Sequence, residues 1–292
     1  METTTNRRTL SEVCQRITEV ATLPHIAVRA VQVANDPDAG AAEMKAILEQ
    51  DVALSVRVLR IVNSSAYAVR SEITNLQHAI AYLGVQRVRN LAMTTAVSRL
   101  FQDRESIASY RRSDLWDHLV SVGVCARMIA QHLKRDDSEE IFLAGLLHDL
   151  GIILEDQYLP TPFAAAIRDL EGECSLCAAE YQHLGFDHTM LGEALAAQWG
   201  FPEAARAGIR YHHDSGSYGG ASRDAVRCVE VANVLCTLKG ISSVGQNRVA
   251  FPQAAFEGLA LGRDDLGILA GGLEAELAKH EALFQVGPAR AW

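Results

Sequence analysis

The sequence predicts an all-α protein, and three observations support this prediction. Alanine and leucine are abundant, whereas aromatic residues make up only 6% of the chain, and this composition favours helices. Residues that start or stop helices recur throughout, and the apolar–polar alternation of strands is hard to find. The 292 residues are enough to bury the core of one large domain or of two smaller ones.

The first predicted helices are marked by caps and stops. Asp51 is a residue of the N-cap type and precedes apolar residues at helical spacing. Between positions 76 and 83 the apolar residues follow the i, i+3, i+4, i+7 pattern of one helix face, and Gly84 is the predicted stop. Ser113 is the predicted cap of a long apolar helix that continues to Leu133.

The next helices are predicted from proline, aspartate and glycine. Thr161-Pro162 opens a helix that Gly172 closes, since proline suits the first helical turn and glycine suits the left-handed end. Asp187 is the predicted cap of a helix over 188–199, and Pro202 starts the one that follows.

The chain ends in two more predicted helical segments, 222–239 and 252–285, the second broken near Leu261-Gly262. The polar segment 102–114 is a candidate boundary between two helical halves. The segment 216–224, rich in glycine and serine, is a candidate loop before the last helices.

The acidic charge restricts the classes of partner. Lys and Arg total 27 against 36 Asp and Glu, so the net charge is −9, which disfavours a general nucleic-acid-binding protein. Arg87, Arg89 and Arg99 could form a local basic face for nucleic acid, but a solvated face or ion pairs between helical bundles is the prediction.

The cellular compartment of the protein and the redox state of its cysteines are predicted from two features that the sequence lacks. No apolar run has the length of a membrane span, and the N-terminal residues lack the apolar region of a signal peptide. We therefore predict a cytoplasmic protein whose six cysteines are reduced. The lone CxxC pair, Cys174 and Cys177, is predicted to be two thiols along a helix rather than a zinc or redox motif.

Several of the ten histidines lie at predicted helix ends or on helix faces in the second half of the chain. The candidate metal ligands are His118, His148, Asp149, His188, His212 and His213. Imidazole and carboxylate suit Fe, Zn, Mn or Ni, and one carboxylate can bridge two ions. Helical proteins build such sites in their cores from ligands on several helices. Spacing alone leaves open the alternative of ordinary hydrogen-bonded histidines.

The order of several motifs resembles the HDOD domain, a bacterial signalling relative of the HD-type metal-dependent phosphohydrolases. The segments LPHIAVRAVQVANDP (23–37), QDVALSVRVLRIVNSSAYA (50–68) and ITNLQHAIAYLGVQRVRNL (73–91) are similar to its N-terminal half. The segments LWDHLV, FLAGLLHDLG, HTMLGEALAAQWGFP and IRYHHD then follow in the order of the family. The resemblance spans about residues 20–215.

This resemblance implies an architecture. We expect an N-terminal HDOD-specific helical bundle over 15–104, packed on an HD-like helical bundle over 105–240, with extra C-terminal helices over 241–292.

The resemblance also implies roles for the candidate ligands. His118 looks like the first histidine of the HD metal pattern, and His148-Asp149 looks like the HD pair itself. His188 and His212-His213 resemble the additional histidines of HD-GYP phosphodiesterases, which hold more than one metal ion.

Three departures from the catalytic relatives are visible in the sequence. Asn233 stands where the catalytic enzymes have a final aspartate ligand, and an amide brings no charge to a metal ion. Ile152 stands where they often have a lysine that could hold phosphate. The segment 212–220 lacks the DGxGYP motif of cyclic di-GMP phosphodiesterases.

We therefore predict a regulatory protein of the HDOD type, which acts without catalysis by binding a signalling protein partner or a small-molecule or nucleotide ligand. The first alternative is a metal-dependent phosphohydrolase acting on a nucleotide or phosphate ester, in which Asp214 or Glu155 replaces the missing carboxylate. The second alternative is a metal-bound, non-catalytic sensor. The sequence leaves the regulated pathway, the metal and the oligomeric state open.

Overall fold

The computed structural model of the protein describes residues 9–20, 25–36, 38–101, 106–170, 174–244 and 250–288. The regular structure in these ranges is almost entirely helical, which confirms the predicted all-α class. The exception is a small antiparallel pair of strands, β1 (Ser106–Ile107) and β2 (Tyr110–Arg111). This pair lies in the polar segment 102–114, where the sequence predicted only a boundary.

The described residues up to position 101 form the first group of helices. Their bounds are Leu10–Val20 (α1), His25–Asn35 (α2), Ala41–Leu48 (α3), Val52–Val62 (α4), Leu76–Leu83 (α5) and Val85–Val97 (α6). The Asp51 cap is confirmed, because its side chain accepts a hydrogen bond from the Leu54 backbone N–H. Gly84 follows the last residue of α5, as predicted. The Leu23-Pro24 motif lies outside the described residues.

The second group of helices follows the strand pair. Their bounds are Arg112–His132 (α7), Ser138–Leu147 (α8), Leu150–Tyr158 (α9), Pro160–Arg168 (α10), Leu176–Leu184 (α11), His188–Gln198 (α12), Glu203–Tyr211 (α13) and Arg223–Leu238 (α14). The predicted break in the last segment is confirmed, since the chain continues in three helices. These are Gln253–Gly258 (α15), Arg263–Lys279 (α16) and Glu281–Phe284 (α17).

Two predicted helix ends are wrong. The helix α7 begins at Arg112, so Ser113 lies inside its first turn and bonds the Asp114 carboxylate instead of capping the helix. The helix α10 ends at Arg168, so it is not closed by Gly172, a residue outside the described ranges. By contrast the cap at Asp187 is confirmed, because its carboxylate accepts a hydrogen bond from the Met190 N–H.

The helices α7 and α8 cross at very short range in the middle of the molecule. A β-carbon added to Gly145 would stand 2.9 Å from the Cα of Gly123, so only glycine allows this approach. Because the two backbones nearly touch, the end of α8 reaches the side of α7 that carries His118. Two hydrophobic clusters contain residues of these helices: the larger runs from Val13 to Phe284, and the second joins α7 and α8 to Arg223–Leu238.

The arginines considered for nucleic-acid binding make ion pairs. The pairs are Arg87–Glu139 (3.0 Å), Arg89–Glu140 (2.7 Å) and Arg99–Asp51 (2.8 Å). Arg89 is fully buried, and its partner lies in the first turn of α8. Two of the pairs therefore join α6 to α8, in agreement with the prediction of ion pairs instead of a nucleic-acid-binding face. Among the described residues, no helix is both long and apolar enough to cross a membrane.

Candidate metal centre

The structure brings all six predicted ligands to one place, where several helices begin or end. His118 lies on α7, and His148 and Asp149 form the junction between α8 and α9. The HD pair therefore stands between two helices. His188 is the first residue of α12, and His212-His213 follows the last residue of α13.

The Asp149 carboxylate lies at the middle of the cluster, and its two oxygens face different histidines. On the Oδ2 side, the Nε2 atoms of His148 and His118 lie 3.3 Å and 3.6 Å away. On the Oδ1 side, the Nε2 atoms of His212 and His188 lie 3.1 Å and 3.4 Å away. His213 joins the Oδ1 side through its Nε2, which is 3.2 Å from that of His188. We call these two groups the Oδ2 side and the Oδ1 side.

The centre is closed apart from one ligand. Asp149 and four of the histidines are buried, whereas His213 is exposed. Burial opposes ionisation of Asp149, but the surrounding histidines, His148 first, hold the pKa of its carboxyl well below its ordinary value. Burial also lowers the pKa of His118 and of His212 to about 4. The buried carboxylate thus faces neutral imidazoles at His118 and His212.

Backbone carbonyls on the side of the ring away from Asp149 fix the tautomers of three histidines. The Nδ1 atoms lie at hydrogen-bond distance from backbone carbonyls, in the pairs His118–Ile241 (2.9 Å), His148–Gly145 (2.7 Å) and His212–Ile209 (2.9 Å). A carbonyl only accepts, so each Nδ1 carries a proton and each ring turns its Nε2 towards Asp149. This is the arrangement by which proteins orient imidazole ligands towards a metal ion.

The fourth buried histidine has a carboxylate behind it. Glu180 on α11 is fully buried and accepts hydrogen bonds from the backbone N–H of His188 (3.0 Å) and from its Nδ1 (2.7 Å). Burial disfavours the charged form of His188, yet the Glu180 carboxylate holds the pKa of its imidazole well above its ordinary value. In the metal-free protein a proton therefore occupies the Nε2 position, and a metal ion would replace that proton.

The contact between Asp149 and His212 is a specific reason to expect a cation. Asp149 Oδ1 and His212 Nε2 are both buried and without a hydrogen-bond partner, although they lie 3.1 Å apart. Two acceptors that face each other have no proton to share, and unpaired buried polar atoms are costly. A divalent ion would satisfy both. The donor set of imidazoles around one carboxylate fits Zn, Fe or Ni, and its carboxylate also suits Mn.

Neither carboxylate proposed as a substitute ligand joins the histidine groups in the described part of the chain. Asp214 is exposed, and its side chain bonds Ser217. Glu155 is fully buried on α9, but its nearest charged neighbour is Glu180; burial, together with that carboxylate, raises the pKa of Glu155 well above its ordinary value. Ile152 lies in the hydrophobic core.

Sequence reasoning missed Glu180 and the thiol beside it. Cys177, Glu180 and His188 form a further group with ligand-type atoms close together, next to the main cluster. All six cysteines are free; Cys177 lies on α11, whereas the exposed Cys174 precedes this helix, so the pair is not two thiols along one helix as predicted. Glu180 precedes His188 by eight residues on a different helix, so helical spacing gives no signal for it.

Substitution of Glu180 by glutamine tests its role behind His188. The amide keeps the shape but removes the charge that stabilises the imidazole proton at Nδ1. We expect metal affinity to fall about 10- to 100-fold, the usual cost of losing such a partner. The measurement is competition with a chromophoric chelator. Glu193→Gln, which alters a partly exposed pair with Arg206, is the matched control and should bind as the wild type does.

Comparison with known proteins identifies the family of the chain. The family model of the HDOD domain matches residues 20–215. An uncharacterized protein of Treponema pallidum (strain Nichols) is 25% identical over 211 residues, which are 70% of this chain but only 39% of that relative. The present chain therefore spans well under half the length of that relative.

Solved structures share the fold. An HDOD domain protein of unknown function from Geobacter sulfurreducens has a TM-score of 0.77 at 25% identity, covering 95% of this chain and 97% of that one. A provisionally described signal transduction protein from Marinobacter aquaeolei VT8 has a TM-score of 0.75 at 23% identity, covering 94% and 64%. A provisionally described phosphohydrolase from Shewanella amazonensis SB2B has a TM-score of 0.71 at 23% identity, covering 94% and 97%. Since the family match covers well over half of its length, the chain belongs to the HDOD domain family.

Proposed function

We propose that this protein is a regulatory signalling protein whose His/Asp cluster holds divalent metal ions without catalysing hydrolysis. The observation that supports metal binding is the set of three histidines whose Nδ1 atoms bond backbone carbonyls, so that each Nε2 faces a buried carboxylate. Without a cation this arrangement leaves Asp149 Oδ1 and His212 Nε2 unpaired. If His212 were an ordinary hydrogen-bonded core histidine, the alternative that spacing left open, its Nε2 would have a partner as well as its Nδ1.

Two positions are expected within the centre. His118, His148 and Asp149 would hold an ion on the Oδ2 side, and His188, His212, His213 and Asp149 would hold one on the Oδ1 side. A bound ion would supply charge that neutralises the buried carboxylate and joins four helix ends. How firmly these helix ends are held together would then depend on whether the ion is bound.

The surrounding residues argue against hydrolysis. A phosphoryl-transfer site needs cationic groups that stabilise the charge of the transition state. Ile152 contributes a buried apolar side chain where catalytic relatives often have a lysine, and Asn233, buried on α14, brings no charge. Glu155 and Asp214 do not compensate, because neither joins the histidines. A binding and relay role therefore fits the residues better.

Signalling would proceed through a partner or ligand. The exposed His213 is the ligand of the centre that a small molecule or a nucleotide could reach from solvent. A signalling protein partner in the cytoplasm would bind according to the arrangement of the helices that meet at Asp149. The provisional description of the Marinobacter aquaeolei relative as a signal transduction protein is consistent with this role.

A metal-dependent phosphohydrolase acting on a nucleotide or phosphate ester is the second candidate. It is favoured by the two-sided contacts of Asp149, since a carboxylate between two histidine groups suits the two-ion sites of many phosphatases. The provisional description of the Shewanella amazonensis relative agrees with it. Hydrolysis of a generic phosphate ester by metal-loaded protein, lost in Asp149→Asn, would favour this candidate over the first.

The metal content of freshly purified protein tests the proposal. We expect up to two Fe, Zn, Mn or Ni ions per chain by mass spectrometry, and less than a tenth of that content in His148→Ala/Asp149→Ala, because the substitution removes the shared carboxylate and one imidazole. Asp149→Asn, which keeps the side-chain volume, serves if the double variant does not fold.

The matched control is another His–Asp pair of the same chain. His183 and Asp169 lie 2.6 Å apart on the surface, and His183→Ala/Asp169→Ala should retain the full metal content. A folded wild type that stays metal-free after incubation with each of the four ions would contradict the proposal.

A further inference from the structure

The chain beyond the family match contacts the metal centre directly. The backbone carbonyl of Ile241 accepts the hydrogen bond from His118 Nδ1 at 2.9 Å, across 123 residues of sequence. The match to the HDOD family ends at residue 215. One of the four buried histidines thus has its tautomer set by a part of the chain that the family match does not include.

The position of this carbonyl is fixed by the end of α14. The Ile241 N–H bonds the Cys236 carbonyl at 2.9 Å, and the Gly240 N–H bonds the Thr237 carbonyl at 2.9 Å. Gly240 has a φ of +82°, in the left-handed region. These features make a Schellman motif, a rigid helix ending that specifies the direction of the next residue. The Ile241 carbonyl is therefore held against α7 by a defined turn.

The helices after this turn hold α7 along its length. Three further contacts join them: Trp116 Nε1 to the Phe284 carbonyl (3.1 Å), Arg127 Nη2 to His280 Nε2 (2.5 Å) and His132 Nε2 to an Asp265 carboxylate oxygen (2.7 Å). We call residues 241–244 together with 250–288 the C-terminal segment. The helix that carries His118 is thus bonded to this segment on both sides of His118.

The hydrogen bond decides which nitrogen of His118 faces the centre. If the proton moved to Nε2, the Ile241 carbonyl would lose its donor, and an N–H would point at His148 Nε2, 3.2 Å away, in the place of the lone pair. His118 is 1% exposed, so water cannot substitute readily for either partner. The geometry of the Oδ2 side therefore depends on Ile241.

We propose that the C-terminal segment is a positioning element of the metal centre, in which the Ile241 carbonyl fixes His118 as the Nδ1–H tautomer and thereby presents Nε2 to the ion on the Oδ2 side. The consequence for metal binding rests on the proposed function. The consequence for the tautomer does not, since it concerns the metal-free protein. A partner that moved the last helices would change the affinity of the Oδ2 side through this carbonyl.

The test replaces the glycine of the turn. Gly240→Pro is incompatible with a φ of +82° and removes the N–H that bonds Thr237. The matched control is Gly200→Pro at the end of α12, where Gly200 has a φ of +71° and the N–H groups of Gly200 and Phe201 make the same two bonds. That second turn makes no bond to the ring nitrogens of the centre. Two readouts are needed, nitrogen-15 NMR of the imidazoles in metal-free protein and metal affinity.

In wild type we expect the His118 spectrum of an Nδ1–H tautomer, assigned by its loss in His118→Gln. In Gly240→Pro we expect a mixture of tautomers and about a 10- to 100-fold lower affinity for one of two ions, and in Gly200→Pro neither change. The milder pair Gly240→Ala and Gly200→Ala replaces the first pair if proline prevents folding.

The outcomes separate the two proposals. An unchanged His118 tautomer in folded Gly240 variants overturns the positioning role, whatever the metal content. A wild type that binds no metal but loses the Nδ1–H tautomer in the Gly240 variants overturns the proposed function and supports the positioning role.

Discussion

Alanine at Gly151 should destabilise the protein by at least about 3 kcal/mol, the upper end of what overpacking usually costs, and should abolish metal binding on the Oδ1 side. A β-carbon there would stand 1.9 Å from the carbonyl oxygen of His188 and 2.6 Å from its carbonyl carbon. Both are backbone atoms, so no rotamer change relieves the clash. The start of α12 would have to move, and His188 would move with it.

The measurement is urea unfolding together with metal content. The control is Gly271→Ala on α16, where an added β-carbon meets nothing within 4 Å. That substitution should leave metal content unchanged and stabilise the helix by about 0.5–1 kcal/mol, since glycine is the poorer helix former. Equal unfolding midpoints for Gly151→Ala and wild type would show that α9 and α12 are not locked together at this point.

Gly151 also shows what the sequence could and could not predict. Its place in LLHDLG identified it as part of a family motif, and the helix that begins at His188 was predicted from the Asp187 cap. The close contact with the His188 backbone was not predictable, because it depends on how two helices pack. Local sequence patterns indicate where a helix begins and ends, whereas the packing of the helices decides which of their ends lie next to each other.

The ligands and their supports differ in the same way. His118, His148 and Asp149 were identified because side chains with metal chemistry interrupt apolar segments. The partners that orient them are backbone carbonyls, such as that of Ile241, and any residue has a carbonyl. Glu180 is a side chain, but it lies on another helix from His188, and no spacing pattern in the sequence links the two residues. The groups that orient the ligands can therefore be identified only from the three-dimensional structure.

The strand pair and the end of α10 were missed for local reasons. Two-residue strands are too short to show alternation, so β1 and β2 left no periodic signal. The predicted stop at Gly172 assumed that glycine marks the end of α10, but the helix ends at Arg168, before the glycine is reached. Ser113 was given the role of a cap from its residue type, although the chain is already helical at Arg112.

The unfolding free energy of the metal-free protein should fall steeply as the pH decreases from about 6.5 to about 4. Burial lowers the pKa of His118 and of His212 to about 4, from an ordinary value of 6.5. In that window the unfolded chain takes up protons at both histidines while the folded chain keeps them neutral, so acid favours unfolding. One pKa unit corresponds to about 1.4 kcal/mol, which gives at most about 3 kcal/mol for each histidine.

Two of the other three shifted groups at the centre act outside this window. The pKa of Asp149 is held well below its ordinary value, so the stability that it contributes is lost only at pH values below about 4. The pKa of His188 is held well above its ordinary value, chiefly by Glu180 against the effect of burial. Its contribution is complete below pH 6.5 and is lost as the pH rises through the folded value. His213, whose pKa desolvation also holds well below its ordinary value, acts in the same window, so the contribution of His118 and His212 is the difference between wild type and a variant without these two histidines.

Urea unfolding of metal-free wild type and of His118→Gln/His212→Gln between pH 7.5 and pH 4.5 measures this slope. Glutamine has no proton to gain, so the double variant should lose less unfolding free energy on acidification, by up to about 5 kcal/mol if the two histidines act independently. The surface variant His183→Gln should follow the wild type. Parallel curves for wild type and double variant would mean that the two imidazoles are solvated in the metal-free protein. In that case the lone pairs aimed at Asp149 would be filled by water, and the main physical argument for a bound cation would fail.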